Sequence, residues 1–211
     1  EESIQVARKG LALSELWGQA DTTLLCLLHL TISLSLAGEV ESARQVLQRA
    51  RNIAEKVSPW FVLNVDQLEV RICLDADDTR QAARAAQKSK AALPISLEAR
   101  LLLKQNRLDE VLTLVEHALP EARQDVRLGV IHSLALFLKK DEPLALAVLK
   151  RTLELAEPEN RVATFVREGE PMENLLRLAL AKSIAPEFVQ RVLAAFEARR
   201  KYKPEPVLVT E

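Results

Sequence analysis

The chain has 211 residues, of which 48% are hydrophobic, only 4% aromatic and 28% charged. The 29 basic and 30 acidic side chains give a formal net charge of -1, which excludes recruitment of nucleic acid or an anionic membrane by the overall field of the protein. A hydrophobic content rich in leucine and alanine, with five glycines, favours an all-α protein, because strands prefer β-branched and aromatic residues.

Apolar residues recur at spacings of three and four and predict twelve helices. Five prolines fall at the proposed ends or first turns of these helices, where a missing N–H does no harm; they are Pro59, Pro94, Pro120, Pro143 and Pro158. In chain order, the predicted helices cover residues 2–17, 22–37, 40–57, 60–74, 78–92, 95–105, 107–118, 121–139, 142–156, 159–168, 171–183 and 186–200.

The first predicted helix is typical of the second helix of a hairpin whose first helix is absent, because Ala7, Leu11 and Ser14 keep a spacing of four and seven. The chain begins without methionine or a signal-peptide pattern, and we expect it to be an excised fragment. The apolar run from Leu24 to Leu36 covers 13 residues. That length is too short to span a bilayer, so no membrane segment is predicted.

A motif of small and apolar residues recurs through the chain. In its clearest copy, an anchor glycine is followed five, nine and twelve positions on by such residues, and these four are Gly38, Ala43, Leu47 and Ala50. The other anchors are Asp77, Asn106 and Lys140, at intervals of 39, 29 and 34 residues. These intervals bracket the period of about 34 residues that two-helix repeats show. We expect Gly38, Asp77 and Asn106 to end the first helix of a pair, because Gly or Asn tolerates the left-handed conformation there, and Lys140 marks the weak copy. The small residues let the two helices approach closely.

Two rows of polar residues on first helices are the candidate ligand-binding residues. In a stack of helix hairpins the first helices line the concave face, where ligands bind. The first row is Asn64, Gln67 and Arg71, and the second is Ser96, Arg100 and Lys104. Adjacent basic rows would suit a carboxylate, a phosphate or an acidic peptide. The alternative is that they are solvated flanks of amphipathic helices.

Catalytic and metal sites are not predicted. The three histidines, His29, His117 and His132, lie far apart, and none has a second His or Cys at metal-ligand spacing. Cys26 and Cys73 lie in apolar helical stretches and are expected to be reduced in a cytoplasmic protein. No phosphate-binding loop of the form Gly-x-x-x-x-Gly-Lys occurs, so we expect no cofactor in this chain.

One local basic cluster ends the last predicted helix, formed by Arg199, Arg200, Lys201 and Lys203 around Tyr202. A phosphate-binding arm is one interpretation. The alternative is that these cations complement the negative end of the helix dipole.

The C-terminal block carries a family resemblance. Its residues in order are Asn160, Arg161, Phe165, Glu168, Gly169, Pro171, Met172, Leu175, Leu176, Phe188, Val189, Leu193, Ala194, Ala195 and Phe196. This run resembles the end of the tetratricopeptide-like sensor region of large LuxR-type, ATP-dependent transcription activators, the MalT-like group. The repeats before it match that group in a general way.

The resemblance implies an α-α superhelix of tetratricopeptide-like hairpins over residues 1–157, a C-terminal helical cap over 158–200, and a linker over 201–211 toward an absent helix-turn-helix domain. Its expected role is effector binding and self-association, with a small-molecule inducer or a regulatory protein as partner. ATP would bind an absent N-terminal domain, and DNA only the absent C-terminal one. The alternatives are a freestanding adaptor that binds a peptide or protein, and an all-helical enzyme, for which no catalytic residues are found.

Overall fold

The structure of the chain, a computed structural model, describes residues 2–89, 92–118 and 124–201. Twelve α-helices and no strand lie within these ranges, which confirms the all-α prediction. In chain order the helices are α1 (Glu2–Leu16), α2 (Ala20–Ala37), α3 (Val40–Val57), α4 (Pro59–Asp75), α5 (Thr79–Lys88), α6 (Ile95–Lys104), α7 (Leu108–Glu116), α8 (Val126–Leu138), α9 (Glu142–Ala156), α10 (Val162–Val166), α11 (Glu170–Ala181) and α12 (Pro186–Lys201).

All four anchors of the repeat motif end a helix in the left-handed conformation, including Lys140 of the weak copy. The φ angle is +85° at Gly38, +59° at Asp77, +59° at Asn106 and +69° at Lys140. After α2, the Glu39 N–H donates to the Leu34 carbonyl at 2.9 Å and the Gly38 N–H donates to the Ser35 carbonyl at 3.1 Å. This pair of bonds defines a Schellman motif, and the other three anchors make the same pair. The motif therefore marks the turn inside each helix hairpin.

The small residues after the anchors pack in the core. The residue five positions on is fully buried in every copy, and these residues are Ala43, Ala82, Val111 and Ala145. The residues nine and twelve positions on are also buried in three copies. The copy that begins at Asp77 differs, because Ala86 and Ser89 are only half-buried. Two helices approach closely along such a stripe, so alanine acts here as a packing residue.

The chain forms two compact units, with α1 to α5 in the first and α6 to α12 in the second. The boundary falls between Leu93 and Pro94, within the stretch predicted as one array of repeats. The predicted division at residue 157 into repeats and cap stays a prediction.

Helix α2 is the central helix of the first unit. It has 18 residues with a mean hydropathy of 1.5, and within the described ranges it alone has the length and composition to cross a membrane. In the structure it packs between α1 and α3, and Leu24, Leu27 and Leu34 are at most 1% exposed. Its polar side chains are satisfied inside the fold, since the Ser35 hydroxyl donates to Asp75 Oδ2 at 2.8 Å. These are the features of a core helix.

The family-specific run at the C-terminal end supplies part of the second unit's core. Helices α10 and α11 pack against α8, and α12 packs against both α10 and α11. Phe165 and Phe188 are fully buried, and their rings meet edge to face at 5.9 Å between centroids. Such a pair adds about 0.5–1.5 kcal/mol beyond the burial of its area.

Several predicted helices are longer than the observed ones, and α5, α8 and α10 differ most. Residues 90–91 and 121–123 of these predictions lie outside the described ranges. Helix α5 ends at Lys88, because Ser89 has an extended backbone. Helix α8 begins at Val126, because Asp125 caps it by accepting the Arg127 N–H. Helix α10 is confined to five residues, because Asn160 adopts the left-handed conformation before it and Gly169 does so after it. Residues 202–211 of the predicted linker lie outside the described ranges.

Candidate functional site

The first predicted row lies along α4. Asn64, Gln67 and Arg71 are half-buried, and at spacings of three and four they share one side of the helix. Asn64 Nδ2 donates to the Trp60 carbonyl at 2.8 Å, so this amide is bonded to its own helix. The row has the geometry that the sequence indicated, and its role in binding stays a prediction. The second row belongs to the other compact unit.

The second row, on α6, is not the exposed polar face that its spacing suggested. Ser96 is 7% and Arg100 5% exposed, while Lys104 is half-buried. Arg100 Nε lies 2.9 Å from Glu168 Oε1, and its Nη2 donates to the Arg167 carbonyl at 3.4 Å. The turn between α10 and α11 therefore covers α6 and binds the guanidinium. Arg100 acts as a structural cation that joins these elements.

A cavity of about 710 Å³ lies among α7, α8 and α9, and we name it the α7–α9 cavity. Its apolar lining comes from Val115 on α7, Leu128 on α8, and Val148 and Leu155 on α9. Helices α7 and α9 are the second helices of two successive hairpins, and α8 runs between them. Small-molecule sites have volumes of about 300–1,000 Å³, so this cavity is large enough for a small organic ligand.

Gly129 on α8 and Thr152 on α9 also line the cavity and determine how closely these helices approach. A Cβ at position 129 would overlap Thr152 Oγ1 and would lie 3.1 Å from Thr152 Cγ2. The Thr152 hydroxyl donates to the Val148 carbonyl at 2.9 Å. Glycine inside a helix costs about 1 kcal/mol relative to alanine, and this close approach is the reason for glycine here.

Four ionisable side chains line the same cavity: Glu116, His132, Arg151 and Glu154. Burial lowers the pKa of His132, and the charge of Glu116 opposes this effect more weakly, so the imidazole is neutral at pH 7. Arg151 and Glu154 are exposed and make no hydrogen bond or ion pair with any residue of the described ranges. The cavity therefore combines an apolar lining with one unpaired cation and one unpaired acid.

The first unit provides an internal comparison, because α1, α2 and α3 hold the same places in the repeat as α7, α8 and α9. Arg49 follows the anchor Gly38 by eleven positions, as Arg151 follows Lys140. Arg49 on α3 forms an ion pair with Glu15 on α1. In the second unit, the corresponding arginine lines a cavity and makes no such pair with a residue of the described ranges.

The cysteines and histidines are dispersed. Cys26 and Cys73 are free thiols, and burial raises the pKa of Cys73 to about 11, which makes its thiol unreactive near neutral pH. In the part of the chain that the structure describes, no three His, Cys, Asp or Glu side chains are grouped to hold a metal ion.

The basic cluster at the end of α12 is bonded to the fold where it is described. Arg199 Nη1 donates to the Val166 carbonyl at 3.1 Å, and Arg200 Nη1 donates to Glu173 Oε2 at 2.8 Å. These bonds join α12 to α10 and α11, and both interpretations of the cluster stay predictions. Two further members of the predicted cluster lie outside the described residues, namely Tyr202 and Lys203.

Large apolar side chains are exposed at one end of the first unit. Leu16 is 79%, Trp17 67% and Trp60 60% exposed. Helices α1 and α3 end there, and α2 and α4 begin there, because consecutive helices are antiparallel. We name these three residues the aromatic end. Exposed Trp is rare on monomeric surfaces and common at binding hot spots.

The comparisons with known proteins address the whole repeat region. The family model described as the MalT-like TPR region matches residues 1–182. This match includes all four copies of the repeat motif and the helices from α1 to α11. No curated protein matches the chain.

Proposed function

The chain belongs to the MalT-like TPR family, and we propose that it is the signal-receiving module of a LuxR-type, ATP-dependent transcription regulator. It binds an effector and passes the signal on by self-association, while ATP and DNA bind other domains of the regulator. The module acts in the cytoplasm and has a binding role without catalysis.

The observation that carries this proposal is the α7–α9 cavity. A ligand in it would touch two successive hairpins, since α7 belongs to one and α8 and α9 to the next. In a stack of repeats, stability depends on the contact between neighbours. A ligand that fits one arrangement of the two hairpins better than another shifts their populations by its difference in affinity. Effector binding is thereby coupled to the packing of the repeats.

The aromatic end supports the self-association part of the proposal. Leu16 and Trp17 follow one another at the end of α1, and Trp60 lies in the first turn of α4. Their apolar surface is in contact with water in the single chain, so burying it against a second copy is favourable by about 25 cal/mol per Å². Tryptophan side chains contribute more to binding energy than most residues at such surfaces.

A thermal-shift screen of sugars, aromatic acids, nucleotides and amino acids tests effector binding. A ligand that binds only the folded state, present at 100 times its Kd, stabilises the protein by about 2.7 kcal/mol. We expect one chemical class to raise the melting temperature in a saturable way. No shift by any class would contradict the proposal.

Sedimentation velocity with and without the effector tests self-association. We expect the double variant Leu16→Ser/Trp17→Ser to remain monomeric under conditions in which the wild-type chain associates. The matched control is Leu144→Ser, because Leu144 is an apolar residue with 48% exposure on the other unit. Equal association of the double variant and the wild type would remove the aromatic end from the interface.

The aromatic end also favours a second candidate function, a tetratricopeptide adaptor that binds a peptide or protein. In that case the chain would bind no small molecule, and a partner peptide would bind with an affinity that Trp17→Ser weakens at least tenfold. Fluorescence anisotropy of labelled peptides distinguishes this function from effector sensing.

A further inference from the structure

We propose that the α7–α9 cavity binds a free amino acid with an apolar side chain, held through its zwitterionic head group by Arg151 and Glu154. This inference rests on the proposed function, because it names the chemical class of the effector and the residues that bind it.

The two charged residues form the first part of the argument. Arg151 and Glu154 lie three positions apart on α9, so their side chains leave the same face of the helix about 5–6 Å apart. Both line the cavity, and neither makes an ion pair with a residue in the described ranges. An amino acid carries a carboxylate and an ammonium group on one carbon. The carboxylate can accept two hydrogen bonds from the guanidinium while the ammonium donates to the carboxylate of Glu154.

The charges of the described lining residues favour a ligand that carries one group of each sign. Arg151 is the one arginine or lysine that lines the cavity among the described residues, and Glu116 and Glu154 also line it. Because burial lowers the pKa of His132, this side chain adds no positive charge at neutral pH. A phosphate or a dicarboxylate would bring a second negative charge close to the carboxylate of Glu154, which is unfavourable. A zwitterion brings one charge of each sign.

The apolar lining accounts for the rest of the ligand. Val115, Leu128, Val148 and Leu155 line the cavity, and Leu155 is 47% exposed. A hydrocarbon side chain placed against them would remove apolar surface from water, with a gain of about 25 cal/mol per Å². The volume of about 710 Å³ has room for an aliphatic or aromatic side chain. Glycine would bind weakly, because it has no side chain to bury.

The repeat of the first unit shows what this position does without a ligand site. There the corresponding arginine, Arg49, is paired with Glu15. Arg151 is the same type of residue as Arg49, but it makes no ion pair with a carboxylate of the described ranges. The position is therefore open to a ligand carboxylate in the second unit and occupied by a protein carboxylate in the first.

Isothermal titration calorimetry of the whole chain tests the inference with L-leucine, L-methionine and L-phenylalanine as probes. At least one of them should bind. If L-phenylalanine binds, three related compounds show which of its groups are recognised. The compound 3-phenylpropionate lacks the ammonium group, 2-phenylethylamine lacks the carboxylate, and glycine lacks the side chain. Each of these should bind at least tenfold more weakly. Equal binding of 3-phenylpropionate, or no binding of any of the three amino acids at about 10 mM, overturns the inference.

Two variants and a matched control locate the binding. Arg151→Gln and Glu154→Gln should each raise the Kd at least tenfold without a change in melting temperature of the free protein, because both side chains are exposed. Arg49→Gln, the corresponding change in the first unit, should leave the Kd unchanged. Unchanged affinity in Arg151→Gln overturns the inference. If sugars or nucleotides bind and amino acids do not, this inference is wrong and the proposed function stands; if no class binds, both are wrong.

Discussion

The close approach of α8 and α9 gives the sharpest prediction on stability. Changing Gly129 to alanine should destabilise the protein, although alanine is the better helix former. The added Cβ would overlap Thr152 Oγ1 and lie 3.1 Å from Cγ2 and 3.3 Å from Cβ of Thr152. This threonine cannot rotate away easily, because it is β-branched, is 3% exposed and donates to the Val148 carbonyl.

The magnitude follows from two opposing effects. Forcing an extra carbon into a packed contact costs about 1–3 kcal/mol, while replacing glycine by alanine inside a helix returns about 1 kcal/mol. We therefore expect Gly129→Ala to lower the free energy of unfolding by up to about 2 kcal/mol. In the double variant Gly129→Ala/Thr152→Ala the close contacts with Oγ1 and Cγ2 are absent, and only the 3.3 Å contact with Cβ remains. That variant should be more stable than Thr152→Ala alone by about the helix-propensity gain of 1 kcal/mol.

Urea unfolding of the wild type, both single variants and the double variant, followed by circular dichroism at 222 nm, completes the cycle. The coupling energy between the two positions should be at least about 1 kcal/mol. At the corresponding positions of the first unit the sizes are exchanged: Leu27 stands where the second unit has Gly129, and Ala50 where it has Thr152. A larger residue on one helix is thus already combined with a smaller residue on the next helix in this chain. A Gly129→Ala variant that is more stable than the wild type, with no coupling to Thr152, would show that the contact between α8 and α9 does not require glycine.

Three further changes test other contacts. Arg100→Met should lower the free energy of unfolding by about 3–5 kcal/mol, because it strands the buried carboxylate of Glu168; Arg100→Met/Glu168→Leu should recover most of this loss in urea unfolding. Burial lowers the pKa of His132 in the folded state, so as the pH falls the imidazole is protonated in the unfolded chain before it is protonated in the folded one. The free energy of unfolding should therefore decrease as the pH drops below 6.5. His132→Gln should reduce that fall between about pH 7.5 and 5.5, and an identical pH dependence in both proteins would contradict it. Lys140→Gly should raise the melting temperature, because glycine adopts the left-handed backbone without strain, with a gain of about 0.5–1 kcal/mol. The control is Lys139→Gly: Lys139 has a φ angle of -78°, so glycine relieves no strain there and should lower the melting temperature.

The repeat architecture could be predicted from the sequence because it depends on local geometry. The spacing of small residues after Gly38 recurs three more times, and it located the turn at Lys140 although lysine has no preference for the left-handed conformation. The buried alanines follow from the same spacing, since helical periodicity fixes which residues share a face. The exception is the copy that begins at Asp77, in which Ala86 and Ser89 are only half-buried.

The candidate site could be predicted only in part, because it depends on contacts between distant helices. Arg100 has the spacing of an exposed polar row, and its burial is caused by Glu168, which lies 68 positions further along the chain. The α7–α9 cavity depends on the sizes of Gly129 and Thr152, which lie on two different helices. The sequence did contain one signal for the cavity: Gly129 and Thr152 stand where the first unit has Leu27 and Ala50, so the large and small residues are exchanged.

Hydrogen–deuterium exchange with and without the effector shows whether the repeats receive the signal between α7, α8 and α9. With the compound that gives the largest thermal shift at saturation, we expect slower exchange in peptides from residues 108–118 and 126–156. Slower exchange confined to α1–α5, with no change in these peptides, would contradict it.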